Sequence, residues 1–120
     1  MQPVDKKAVL AMMEVFYASS AVLSNGSAAI FTSDFEACVT ENPYLEGYIF
    51  EENDQIQGYA MAAKSFSTEF GRPCIWLEDL YIKEDFRGSG IGSLFLEFIG
   101  KKYPQAVLRL EVEEENGRAV

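Results

Sequence analysis

Residues 76–96 read WLEDLYIKEDFRGSGIGSLFL, and this stretch decides the fold. It opens inside a long β-prone run, Cys74-Ile75-Trp76-Leu77-Glu78-Asp79-Leu80-Tyr81-Ile82. It closes as an amphipathic helix, with Leu94, Phe95, Phe98 and Ile99 at helical spacing, ending near Lys101-Lys102. Between them lies the turn Arg87-Gly88-Ser89-Gly90-Ile91-Gly92. Two features are physically odd. Glu78 and Asp79 are adjacent acids in the middle of an apolar strand. Neighbouring strand residues face opposite sides, so each acid is expected in a different layer. A buried carboxylate is costly unless it is paired, protonated or set at a cavity, so a structural partner and a functional role both stay open. The glycine turn is the second feature. Its backbone N–H groups, with the helix N-terminus behind them, form a cradle suited to a phosphate, and Arg87 adds a positive charge. The alternative for the turn is packing alone. It lacks the Lys-Ser/Thr of a P-loop, and it reads G-x-G-x-G rather than the G-x-G-x-x-G of a dinucleotide fold.

Outward from this stretch the chain alternates elements without repeats or linkers. Val4 to Ala18 carries Val9, Met12, Met13, Phe16 and Tyr17 at helical spacing, with Asp5 able to cap its start. SSAVLSNGS is a loop with an Asn25-Gly26 turn signal. From Ser27 the apolar residues Ile30, Phe31, Phe35, Cys38 and Val39 mark a second helix, stopped by Asn42-Pro43. Tyr48-Ile49-Phe50 is a short strand, residues 51–54 a turn, and Gln57 to Ser67 a second strand. With Cys74–Ile82 these form an antiparallel meander. Val107 to Val112 is a fourth strand, and the crossover before it makes its pairing parallel. The class is α+β (mixed α/β).

Composition narrows the chemistry. The chain has 120 residues, which is one domain's worth. Ten Lys+Arg against nineteen Asp+Glu give a net charge of −9. That argues against nucleic acid or an anionic membrane as partner, since both require a basic face. Histidine is absent, which removes Ser-His-Asp and Cys-His catalysis and every histidine metal site. Cys38 and Cys74 read as two reduced, buried thiols, and no apolar run approaches a membrane span, so a cytoplasmic protein is expected. The acidic run Glu111, Glu113, Glu114 and Glu115 reads as a solvated strand exit rather than a metal site. Trp76, Phe86 and Phe95 read as core.

Taken together, the strand, short loop, R-x-x-G-x-G turn and amphipathic helix resemble the GNAT superfamily of N-acetyltransferases. Arg87, Gly90 and Gly92 match its R/Q-x-x-G-x-G/A signature, which binds the pyrophosphate of acetyl-CoA. The element order is also similar over most of the chain. LEDLYIKEDFRGSGIGSLFL and Gly58-Tyr59-Ala60-Met61 look most like the spermidine/spermine (diamine) acetyltransferase branch.

The resemblance implies a meander followed by a β-α-β unit, with acetyl-CoA as co-substrate and no metal. It implies transfer of an acetyl group to a primary amine of a small molecule. Leu80, Tyr81 and Ile82 would bond the pantetheine arm through their backbone. Arg87, Gly88, Ser89, Gly90, Ile91, Gly92 and Ser93 would hold the pyrophosphate, and Asn116 would contact the CoA arm. Glu78 would accept the amine proton, and Asp79 would help to bind the cationic amine. The chemistry is consistent: a primary amine has a pKa of about 10, so it must lose a proton before it attacks a thioester. Backbone N–H groups can polarise the carbonyl, and holding both reactants together supplies proximity. Related chains usually begin with a strand before the first helix. They continue past the asparagine into a helix carrying an acid tyrosine and two more strands. Neither Tyr81 nor Tyr103 stands at that tyrosine's position. Residues 1–120 are therefore expected to form a single, incomplete domain, truncated at both ends. A non-catalytic CoA-binding or assembly domain is the alternative. An acidic interaction module, in which the glycine turn only packs, is a third. An unfinished sheet leaves an edge, so a homodimer is expected.

Overall fold

The computed structural model describes residues 1–19 and 28–110. A short 3-10 turn at Pro3–Asp5 runs into α1, Lys6–Ser19. Asp5 does cap, but one turn earlier than expected: its carboxylate accepts the Gln2 N–H at 2.8 Å and secures the 3-10 turn rather than α1 itself. The Asn25-Gly26 turn lies outside the described residues. Helix α2 spans Ala28–Val39. Asn42 turns the chain from helix to sheet, because its Oδ1 accepts the N–H groups of Tyr44 and Leu45 at 2.8 and 2.9 Å.

Strands β1 (Leu45–Glu52), β2 (Gln55–Ser67) and β3 (Arg72–Ile82) form the expected antiparallel meander. After α3 (Ile91–Lys102), β4 (Val107–Leu110) lies parallel to β3, and the sheet order is β1-β2-β3-β4. The β1–β2 turn is shorter than the sequence suggested. Asn53 and Asp54 alone make it, at φ +54° and +63°, the left-handed pair that suits a two-residue hairpin. Glu51 and Glu52 therefore belong to the strand. Helix α3 begins at Ile91, three residues earlier than its apolar stripe indicates.

The sheet separates two cores. On one face α1 and α2 cover Tyr59, Met61 and Tyr81, with Val9, Met13, Phe31 and Phe35 from the helices. On the other, α3 packs Phe95 and Ile99 onto Ala60, Ala62, Ile75, Leu77 and Leu80. Phe95 is thus core as expected, whereas Trp76 and Phe86 are only half-buried. The Arg109 guanidinium lies 5.5 Å from the Trp76 ring centre. Cys74 is buried and Cys38 partly so, and both are free thiols. Burial, with Asp34 and Asp79 nearby, pushes the Cys38 thiol up to about 12, which disfavours the reactive thiolate.

One carboxylate ties α3 to the first two strands. Glu46 on β1 accepts the hydroxyls of Tyr48 and Tyr103, and it pairs with Lys64 at 3.2 Å and Lys102 at 3.5 Å. Burial alone would raise its pKa, but these donors outweigh that and hold it down at about 2, against an ordinary value of 4.5. A carboxyl whose folded pKa is depressed adds stability above its unfolded pKa and loses it as the pH falls through the folded one. The stability gap between the wild type and Glu46→Gln should therefore be full above pH 4.5 and shrink toward pH 2. Denaturant titrations across that window check this; a constant gap would rule the network out.

Candidate functional site

The site is organised by one irregularity in β3. Met61 pairs with Asp79 and Ala62 pairs with Leu77, so Glu78 is an extra residue with no partner on β2. A one-residue insertion reverses the facing of everything after it. Before the bulge, Ile75 and Leu77 face α3. After it, Tyr81 faces the α1–α2 side and Leu80 faces α3. Asp79 accordingly turns to the α1–α2 side, where it meets Tyr17. The expectation that the two acids point into different layers is corrected by this bulge: Glu78 and Asp79 line one cavity.

That cavity is about 510 Å³ and lies between α1, α2 and the bulged strand. Its walls are largely apolar, with Leu45, Met61 and Ala63 among them. Among the described residues its charge-bearing lining is acidic, namely Asp34, Glu78 and Asp79, with no lysine or arginine. Glu78 is exposed and Asp79 is buried, at 2% accessible. Asp79 accepts hydroxyl hydrogen bonds from Tyr17 at 2.6 Å and Tyr59 at 2.7 Å. Burial raises the Asp79 pKa, and the two phenols pull against that without cancelling it. Burial and the neighbouring Asp79 also push both phenols well above the usual tyrosine value, so they stay protonated as donors. Burial raises the Asp34 pKa as well. Sequence reasoning missed Asp34 and Tyr17. Both sit on amphipathic helices, where nothing local separates a cavity wall from a solvated face.

Beyond the bulge the chain runs through Leu80, Tyr81 and Ile82 to the glycine turn. The parallel pairing with β4 runs from Cys74–Val107 to Leu77–Leu110, the residue before the bulge. At the turn, Gly88 and Gly90 adopt φ +82° and +88°, a conformation glycine reaches without strain. A Cβ at either position would meet nothing within 4 Å. Pure packing therefore does not explain these two glycines: they shape the backbone beside open space. Gly90 is the N-cap of α3 and carries no side-chain cap, which leaves the first-turn N–H groups available for an anion. Gly92 is buried, while Ser89 and Ser93 are exposed and Ile91 is half-buried. Arg87 ties the turn to the strand: its Nε donates to the Ile82 carbonyl at 2.7 Å, and its guanidinium lies 5.6 Å from the Tyr81 ring centre. The Ser89 hydroxyl donates to the Phe86 carbonyl. Asn116 and the acidic run Glu111, Glu113, Glu114 and Glu115 lie outside the described residues.

The sequence profile of the acetyltransferase (GNAT) family matches residues 12–120. The chain belongs to the GNAT family. Among curated relatives, the thialysine N-epsilon-acetyltransferase of Bos taurus is 38% identical over 68 residues. That match spans 54% of this chain and 39% of the bovine protein, so the chain aligns with about two fifths of that relative's length. The fold agrees. A Bacillus halodurans protein, solved as a point mutant, superposes with a TM-score of 0.77 at 25% identity, covering 99% of this chain and 83% of its own. A Clostridium acetobutylicum protein described as an acetyltransferase, and solved with acetyl-CoA, superposes at 0.75 with 18% identity, covering 97% and 80%. These likenesses show that the meander, α3 and β4 are arranged in the fold those proteins share. Among the described residues no helix is long and apolar enough to cross a membrane.

Proposed function

We propose that this chain carries an acetyl-CoA-dependent N-acetyltransferase activity toward a primary amine of a small molecule, with diamines as the favoured class. The observation that carries this reading is the placement of two features on one strand. Residue Glu78 opens into a cavity whose charge-bearing lining, among the described residues, is acidic, and a few residues later the same strand delivers an uncapped helix start shaped by Gly88 and Gly90. The bovine relative's name supports the amine class, since it specifies a side-chain nitrogen.

The residues present fit acetyl-CoA. The N–H groups from Gly88 to Ser93, with Arg87 beside them, are suited to a diphosphate. Among the described residues no strand pairs with the outer edge of Leu80, Tyr81 and Ile82, and that edge is suited to the pantetheine amides. When bound, acetyl-CoA supplies a thioester whose carbonyl carbon accepts an amine. The chain's own work is then threefold. The acidic cavity concentrates a cationic amine and orients it, with Asp34 supplying negative charge from α2. Glu78 takes the proton that must leave before the nitrogen can attack. The strand edge and the turn fix the second reactant beside it, which is the proximity contribution.

The test pairs binding with turnover. Saturating acetyl-CoA should raise the melting temperature, and adding a diamine should release free thiol from acetyl-CoA. Stabilisation without thiol release would leave a CoA-binding domain with no turnover. No stabilisation at all would end the cofactor assignment.

A further inference from the structure

We propose that Tyr17 and Tyr59 are positioning residues which, through Asp79, hold the β3 bulge that presents Glu78 to the cavity. The functional meaning of this clamp rests on the acyl-transfer reading above, but its geometry does not.

A bulge in a central strand breaks the regular ladder and leaves its extra residue unpaired. The competing arrangement takes Glu78 into the ladder and slips the following residues by one position. That slip would carry Asp79 from the Tyr17 side of the sheet to the α3 side, among Ala60, Leu77 and Phe95. No lysine or arginine forms an ion pair with Asp79 among the described residues, so its two phenol donors are what compensate its burial. They come from different layers. Tyr59 lies on the central strand β2, its ring 6.1 Å from that of Tyr81. Tyr17 lies near the end of α1, its ring stacked 5.3 Å from Phe31 of α2. One carboxylate therefore joins β3 to its neighbouring strand and to α1, and through the Tyr17–Phe31 stack to α2, at the residue next to Glu78. With both oxygens of Asp79 engaged by phenols, its role becomes orientation, and direct contact with the amine falls to Glu78 and Asp34.

The experiment compares Tyr17→Phe combined with Tyr59→Phe, Asp79→Asn and Asp79→Ala in the full chain. Phenylalanine keeps the rings and removes only the hydroxyls. Amide hydrogen exchange at residues 78–82 in the double tyrosine variant should quicken about tenfold or more, while exchange in α3 stays unchanged. Its kcat should fall about tenfold or more, with KM for acetyl-CoA moving less than about twofold. Asparagine can still accept from one phenol and donate to the other, so Asp79→Asn should retain kcat within about threefold while Asp79→Ala loses about thirtyfold. Unchanged exchange in the double variant overturns the clamp. So does Asp79→Asn being as damaging as Asp79→Ala, because the charge and not the geometry would then matter. If the wild type acetylates no amine, the acyl-transfer reading fails by itself, and the exchange measurement still decides the clamp.

Discussion

Glu78→Gln should lower kcat about 100-fold or more at neutral pH while leaving acetyl-CoA affinity within about twofold. The expectation follows from where the residue sits. Glu78 is the unpaired residue of a bulge and is exposed at the mouth of an acidic cavity, so its side chain contributes little to packing. Glutamine has the same shape and can no longer take a proton. The proposed cofactor cradle begins at Arg87, several residues along the chain, and its parts are backbone N–H groups that the substitution does not touch. The loss should also depend on pH in a specific way. Below the amine's pKa of about 10, each unit of pH gives about tenfold more neutral amine, and the variant depends on that fraction alone. Its rate should therefore rise steeply into alkaline solution and close part of the gap to wild type. A kcat at neutral pH equal to that of wild type would remove Glu78 from the role of base.

The parts of this arrangement that the sequence announces are those with local causes. Alternating β-prone runs, the Asn42 stop and the glycine turn are determined within a few residues, and each lies close to where the pattern puts it. The bulge has a different origin. Strand alternation over Cys74–Ile82 places Leu77, Asp79 and Tyr81 on one face, and only pairing with β2 shows that the facing reverses at Glu78. The signal was nevertheless present. Two adjacent acids in an apolar strand cannot both be accommodated by a regular ladder between two cores. The helical half of the cavity has no such signature. Tyr17 and Asp34 acquire their meaning from the packing of α1 and α2 onto the sheet, which brings them to Glu78 and Asp79, separated from them by 40 residues or more of chain. The Glu46 cluster is the same kind of case, since Tyr103 reaches it from 57 residues away.

Gly58→Ala should lower the melting temperature by about 10 °C or more, which for a domain of this size corresponds to about 2–3 kcal/mol. The usual sign is the opposite: replacing a strand or helix glycine with alanine gains about 0.5–1 kcal/mol, because glycine loses more conformational freedom on folding. At Gly58 the local geometry reverses it. A Cβ there would lie 2.2 Å from the Tyr81 carbonyl oxygen and 3.0 Å from the Ile82 Cα, both backbone atoms of the neighbouring strand that cannot swing aside as a side chain can. Gly58 pairs with Phe50 on one side and Ile82 on the other, so relief on either side disturbs a ladder. The clash falls on Tyr81 and Ile82, the edge proposed for the pantetheine arm, so on that proposal acetyl-CoA affinity should fall along with stability. Gly100→Ala is the control. That glycine sits in α3, and a Cβ added there would meet nothing within 4 Å, so the same substitution should stabilise by up to about 1 kcal/mol and leave binding unchanged. Thermal melts with and without acetyl-CoA measure both effects. Were Gly58→Ala to melt as high as Gly100→Ala, β2 and β3 would not approach as closely as described, and the strand edge could not be aligned as the proposed cofactor site requires.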